Sequence, residues 1–224
     1  MQIVKPYAKM IGVDNREDGI ELLRWCEAAA RISHRSEDKM TPDSYDRFLR
    51  FIVMEHGDFS VIEHRIVTVE FLVDRGISHE IVRHRLFSYT QESTRFVNYA
   101  KKMPPSFIYP SDWQGTIDPR ITDEHWAEVI DKIEALYRLY VDTLGLSPQL
   151  ARNILPNCLA TKLWATGNLR NWRHFFLMRT CAEAHPQMRE VAIPLLEEFQ
   201  GKIPILYEDI VPLEKQSKNM RKMR

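Results

Sequence analysis

Between residues 65 and 73 apolar and polar positions alternate almost strictly: Val67, Val69, Phe71 and Val73 share one face, and Ile66, Thr68, Glu70 and Leu72 the other. A period of two belongs to a strand, so this stretch is predicted as the chief strand of the protein. Elsewhere the period lengthens. Leu22, Leu23, Cys26, Ala29 and Ala30 recur at three and four residues and predict a helix over 18–33. Tyr45, Phe48, Leu49, Ile52 and Val53 predict a second, with Thr41 as N-cap, Pro42 at the first helical position and His56-Gly57 as its stop. Trp126, Val129, Ile130, Ile133, Leu136, Tyr137, Tyr140, Val141 and Leu144 predict a third over 122–144, and Ser147-Pro148 starts a short one before Pro156. Asn168 is placed to cap a helix running past Arg179, and Pro186 opens the last, with Met188, Val191, Ala192, Leu195, Leu196 and Phe199 buried.

Shorter strands are expected at 2–4, 11–13 and 158–166. Ser78 is expected to cap a helix carrying Arg83, His84 and Arg85 near its C-terminal end. Residues 100–121, broken by Pro104, Pro105, Pro110 and Pro119, read as irregular, a lid or a subunit arm.

At 224 residues the chain is long enough for a real core and fits one domain, taken as residues 1–214. Residues 215–224 hold five basic and no acidic side chains and read as a solvated, disordered tail. Lys plus Arg equals Asp plus Glu, 31 each, so no global field draws nucleic acid or membrane and any anion site must be local. Three widely spaced cysteines, Cys26, Cys158 and Cys181, form no disulfide framework and read as core filler in a reducing compartment. With no apolar leader in residues 1–13 and no run of membrane-spanning length, the expected location is the cytoplasm.

The densest chemistry lies in residues 83–95, Arg-His-Arg-Leu-Phe-Ser-Tyr-Thr-Gln-Glu-Ser-Thr-Arg. Arginine presents a planar fork of donors that suits phosphate or carboxylate. If the chain near 93 is extended, Ser93 and Arg95 project to one side and meet one anion together. His79-Glu80 followed by His84 imitates a zinc-protease motif, but five positions set the two rings roughly 140° apart around a helix, so no metal site is read here. With only eight glycines and no G-x-G-x-x-G, any flavin must be held without a Rossmann domain.

Arg83-His84-Arg85, seven residues, then Ser93 resembles the signature of flavin-dependent thymidylate synthases, the ThyX family. Further matches follow in order: Ser60 and Glu63 before His64, Ala151-Arg152 ahead of Leu155-Pro156, then Asn168, Arg170 and Arg179. The resemblance covers roughly residues 15–195. It implies an α+β fold: a small antiparallel or mixed sheet packed by several long helices, with a non-Rossmann flavin site. It implies a homotetramer with active sites shared between subunits, and a methyltransferase reaction converting dUMP to dTMP. Methylenetetrahydrofolate supplies the carbon, and FAD reduced by NADPH supplies the hydride. Carried over residue by residue, dUMP falls to Glu80, Arg83, Gln91, Glu92, Ser93, Thr94, Arg95, Arg152 and Arg179, with Arg179 and Ser93 catalytic. FAD falls to Ser60, Glu63, Arg83, His84, Arg85, Gln91, Asn168, Arg170 and His174. Ser33 matches a serine near the family's active site.

The chain departs from the common pattern at Glu80, at Thr90-Gln91 where many members have Asn-Glu, and at His174 where many have Asn. An alternative reading takes residues 83–99 as a single-stranded nucleic-acid module, with Phe87, Tyr89, Phe96 and Tyr99 stacking bases between basic side chains. The balanced charge argues against it.

Overall fold

The computed structural model describes residues 2–101, 104–110 and 123–212. Its elements run β1 (Gln2–Val4), β2 (Tyr7–Ile11), α1 (Arg16–Ile32), α2 (Ser44–Leu49), β3 (Ile66–Asp74), α3 (Arg75–Ile81), β4 (Ser88–Gln91), β5 (Ser106–Ile108), α4 (Asp123–Arg138), α5 (Pro148–Ala151), β6 (Ala160–Asn168), α6 (Leu169–Arg179) and α7 (Pro186–Lys202). This is an α+β fold. A four-stranded sheet has the order β2-β3-β6-β4, and β1 pairs in parallel with β5 in a second, two-stranded sheet. Leu169 N–H bonds to Arg65 C=O at one end of β3 and β6, and Arg75 N–H to Leu159 C=O at the other. The residue numbers run in opposite senses, so these two strands are antiparallel.

The chain divides into two compact units, Met1–Tyr7 with Phe71–Arg83 and Tyr89–Trp164, and Ala8–Glu70 with His84–Ser88 and Ala165–Arg224. In the first, Tyr99, Phe107, Ile130, Tyr137, Val141, Ala151 and Leu159 form the core. In the second, the Trp172, Phe175, Phe176 and Phe199 rings pack edge to face or tilted, with neighbouring centroids 4.9 to 6.1 Å apart. Tyr207 joins them and donates its hydroxyl to Leu169 C=O at 3.0 Å. A buried phenol needs such a partner.

The chief strand, α1, α6 and α7 lie close to where the pattern puts them. Five expectations need correction. The second strand is Tyr7–Ile11, not 11–13, because Gly12 takes a positive φ of 75° and Asn15 already caps α1. Thr41 does not cap the second helix, which begins at Ser44. The Ser44 hydroxyl is drawn to the buried Glu27 carboxylate at 2.7 Å and accepts from Thr41 N–H at 2.9 Å. That helix widens into a π turn over Arg50–Glu55 before it stops.

Ser78 does not cap α3. Asp74 does, its Oδ1 accepting from Ile77 N–H at 2.7 Å. The helix then ends at Ile81, so Arg83, His84 and Arg85 lie in the turn beyond it. Residues 100–121 are not wholly irregular, since β5 lies within them; 111–121 and the expected tail 215–224 are outside the described residues. Finally, residues 93–95 form a turn instead of an extended run, with Phe96 and Val97 N–H both bonding to Ser93 C=O.

Candidate active site

The expected nucleotide residues other than Arg179 fall in the first unit. Tyr89 donates its hydroxyl to Ile81 C=O at 2.7 Å, which ties the start of β4 to the end of α3. Two positions on, the Gln91 amide nitrogen donates to Ser78 Oγ at 2.9 Å and to Thr161 Oγ1 at 3.2 Å. Glu92 is held differently: Tyr99 Oη donates to its carboxylate at 2.7 Å. Burial and that carboxylate push the Tyr99 phenol far up, so it stays a donor. Glu92 and Tyr99 line a cavity of about 490 Å³ with Gln2, Tyr7, Leu72 and Lys162.

Beyond β4 the turn brings Ser93 Oγ to Arg95 N–H at 3.3 Å. That bond fixes the hydroxyl locally and leaves the Arg95 side chain exposed, its guanidinium 5.5 Å from the Phe96 ring. Thr94 is buried and accepts from Arg152 Nη1 at 3.4 Å. The Arg83 side chain is exposed. Guanidinium groups at 83, 95 and 152 and hydroxyls at 93 and 94 thus come from one turn, the segment before β4 and the end of α5. That donor set suits a phosphate monoester.

The expected flavin residues fall mostly in the second unit. α6 starts where the Asn168 side chain accepts from Asn171 N–H at 2.8 Å. Asn171 in turn donates to Leu86 C=O at 3.2 Å, and Phe87 packs edge-on against Trp172 at 4.7 Å. Gly167 makes this seat possible: a Cβ there would stand 2.5 Å from the Phe87 ring. Segment 84–88 is therefore pinned against α6, and that pinning aims His84. Its ring lies 5.0 Å from Phe175 and 5.8 Å from His174. Its Nε2 accepts from Arg179 Nε at 2.9 Å. Burial, then the Arg179 and His174 charges, lowers the His84 pKa to about 4, so the ring is neutral near pH 7.

Arg170 Nη1 pairs with Glu63 Oε1 at 2.5 Å across partly exposed surface. Ser60 and Arg85 are exposed. Among the described residues Arg85 makes no ion pair. A second cavity, of about 710 Å³, is lined by Arg31, Phe48, Arg50 and Phe51 and holds none of the expected residues.

The model for "Thymidylate synthase complementing protein" matches residues 21–205 of this chain. The chain belongs to that family. It is 34% identical over 206 residues to a flavin-dependent thymidylate synthase of Mycobacterium sp. (strain JLS), covering 84% of this chain and 80% of that one. To the enzyme of the same name from Corynebacterium aurimucosum it is 32% identical over 194 residues, covering 82% and 78%. To that of Mycobacterium tuberculosis it is 31% identical over 194 residues, covering 82% and 77%.

Ser78, expected to cap a helix, is a partner of Gln91, and so is Thr161 within β6. Tyr99, expected as a base-stacking ring in the nucleic-acid alternative, is 5% exposed and donates to Glu92; Phe87 is 9% exposed and packs against α6. Neither ring is presented for stacking, whereas Phe96, 77% exposed, is. Among the described residues no group of three His, Cys, Asp or Glu side chains is placed to hold a metal ion. No described helix is long and apolar enough to cross a membrane. Cys26 is buried, its thiol pushed up to about 12 by desolvation, and that of Cys158 is pushed up to about 11; neither is a ready nucleophile.

Proposed function

We propose that this chain is a flavin-dependent thymidylate synthase that converts dUMP to dTMP, with methylenetetrahydrofolate as carbon donor and NADPH as reductant. The observation that carries this reading is the family match over residues 21–205, within which the Arg-His-Arg turn and Arg179 both fall. The donor chemistry fits FAD. The second unit offers an exposed guanidinium at Arg85, a further one at Arg170, a hydroxyl at Ser60 and a neutral imidazole at His84, which together suit a pyrophosphate and a flat polar ring system. FAD, once bound and reduced, supplies the hydride.

The chain's own residues then orient and stabilise. Arg83, Ser93, Thr94, Arg95 and Arg152 hold the nucleotide phosphate and sugar, with Glu80, Gln91 and Glu92 toward the sugar and base. Arg179 lies against the uracil ring and stabilises negative charge that develops there when the ring acts as a carbon nucleophile. No cysteine need attack the ring. The Arg179–His84 bond fixes the plane of the guanidinium, and a neutral partner leaves its charge undivided. Ser60, Glu63, His84, Arg85, Asn168, Arg170 and His174 border the flavin. Bringing Arg179 and the nucleotide residues to one dUMP is the family reading, in which sites are shared between subunits of a homotetramer. The proposed location is the cytoplasm.

The test is an absorbance scan of the purified protein with FAD, before and after anaerobic NADPH, followed by turnover with dUMP and methylenetetrahydrofolate. A flavin band whose bleaching responds to dUMP, and formation of dTMP, support the assignment. Absence of flavin binding under any condition overturns it.

A further inference from the structure

We propose that Ser78 and Thr161 decide which end of the Gln91 amide the nucleotide site presents, and that they make it a hydrogen-bond acceptor. The inference rests on the thymidylate synthase reading for its ligand, but the orientation follows from three side chains alone. Ser78 Oγ donates to Arg75 C=O at 2.8 Å. A hydroxyl has one proton and a backbone carbonyl has none, so that proton is committed. Ser78 can then meet Gln91 only as an acceptor, and the atom facing it at 2.9 Å must be the amide nitrogen. The second N–H goes to Thr161 Oγ1 at 3.2 Å.

Both amide protons are therefore spent inside the protein. Ser78 and Thr161 are 0% and 1% exposed, so no water competes for them. Turning the amide over would set its oxygen against the lone pairs of Ser78, acceptor against acceptor. Gln91 is itself half-buried, and both hydrogen bonds described for its side chain run through Nε2, not Oε1. The three residues come from α3, β4 and β6, so the arrangement belongs to the fold and not to one flexible loop.

An oxygen presented in this way asks its ligand for an N–H or O–H. It disfavours a ligand that offers an acceptor or a negative charge at that place. dUMP carries two neutral donors, the imide N3–H of uracil and the deoxyribose 3′-hydroxyl. Gln91 is on this view a specificity-determining residue, and Ser78 and Thr161 are positioning residues that act through it.

The experiment compares dUMP, N3-methyl-dUMP and 2′,3′-dideoxyuridine monophosphate by calorimetry on the FAD-loaded protein. One of the two analogues is expected to bind at least about tenfold more weakly than dUMP to the wild type, the loss that one unmade hydrogen bond gives. In the Ser78→Ala, Thr161→Val double variant that penalty should shrink to a few-fold, because the amide is then free to turn. Thr161→Ser, which keeps the hydroxyl, should retain it. An undiminished penalty in the double variant, or none for either analogue in the wild type, overturns the proposal.

A second measurement needs no nucleotide. In protein labelled with 15N-glutamine, the Gln91 side-chain amide protons should exchange slowly with solvent in the wild type and fast in Thr161→Val. Fast exchange in the wild type overturns the proposal. A wild type that shows protected Gln91 protons yet binds no dUMP would instead count against the thymidylate synthase reading.

Discussion

Arg179 and His84, 95 residues apart in the chain, meet nitrogen to nitrogen at 2.9 Å, and the imidazole is the acceptor. That bond requires neutral His84. Burial, Arg179 and His174 together lower its pKa to about 4. Protonation would replace the acceptor with a second positive charge. In the unfolded chain the same histidine titrates near its ordinary value of about 6.5. Between those values the unfolded state binds more protons, so stability falls as pH falls. His84's contribution is complete above about pH 6.5 and is lost by about pH 4. Thermal melts across that window should therefore slope downward toward acid, and His84→Gln, which keeps an acceptor and removes the titration, should flatten the slope. An equal slope in both proteins would exclude His84 as its source.

Arg179→Ala should lower kcat for dTMP formation by about a hundredfold or more, the scale of removing one preorganised charge-stabilising donor. Circular dichroism should be unchanged, because Arg179 is the last residue of α6 and fills no core position. The same variant should raise the His84 pKa, since one of its lowering charges has gone. Following the His84 ring protons by NMR separates this electrostatic role from simple loss of substrate binding.

Arg170→Ala discriminates between a structural and a cofactor role. Its pair with Glu63 is 52% and 42% exposed at the two side chains. An ion pair so open to water contributes about 0–1 kcal/mol to stability. The melting temperature should therefore barely move. If Arg170 borders the flavin, FAD affinity measured by fluorescence titration should fall by about tenfold, the loss of one charge-assisted bond. A large stability loss with unchanged FAD affinity would reverse the assignment.

Local patterns revealed what local physics controls. The alternation of Val67, Val69, Phe71 and Val73 placed β3, and the cap Asn168 and the helix-opening Pro186 placed the starts of α6 and α7, because each depends on neighbours a few residues away. The rest depends on partners that periodicity cannot pair. Ser44 starts its helix at the behest of Glu27, 17 residues earlier. Gln91 is oriented by residues 13 and 70 positions distant. The α3 helix starts after Asp74 instead of Ser78, because the Asp74 carboxylate takes Ile77 N–H while the Ser78 hydroxyl is turned back to Arg75 C=O. The motif residues of the candidate site were named because the chain resembles a known family; their hydrogen-bond partners were not, because no motif records them.

Glu27 offers a stability test remote from the site. Its carboxylate is 0% exposed, and it holds the Arg31 guanidinium at 2.6 Å and the Ser44 hydroxyl at 2.7 Å. Arg31 is itself only 8% exposed at the side chain and stacks on Phe48 with 4.2 Å to the ring centroid. Glu27→Ala would leave a buried cation without its partner, which costs about 3–5 kcal/mol. Urea denaturation should show that loss in the midpoint. A change below about 1 kcal/mol would mean that water reaches Arg31.

Gly167→Ala links packing to the site. The added methyl would enter the space of the Phe87 ring, 2.5 Å from its nearest atom. That ring is wedged edge-on against Trp172 and tilted against Phe175, so it has little room to retreat. Overpacking of this kind costs about 1–3 kcal/mol. The displacement would pass along three residues to His84, whose bond to Arg179 depends on where that segment sits. The expected result is a lowered melting temperature together with a kcat loss larger than stability alone explains at a temperature where the variant is folded. As His84 leaves its buried seat its pKa should climb from about 4 toward the ordinary value, readable in the same NMR titration. A variant that melts early yet keeps the wild-type kcat and the wild-type His84 titration would show that the Phe87 seat and the Arg179–His84 bond are independent.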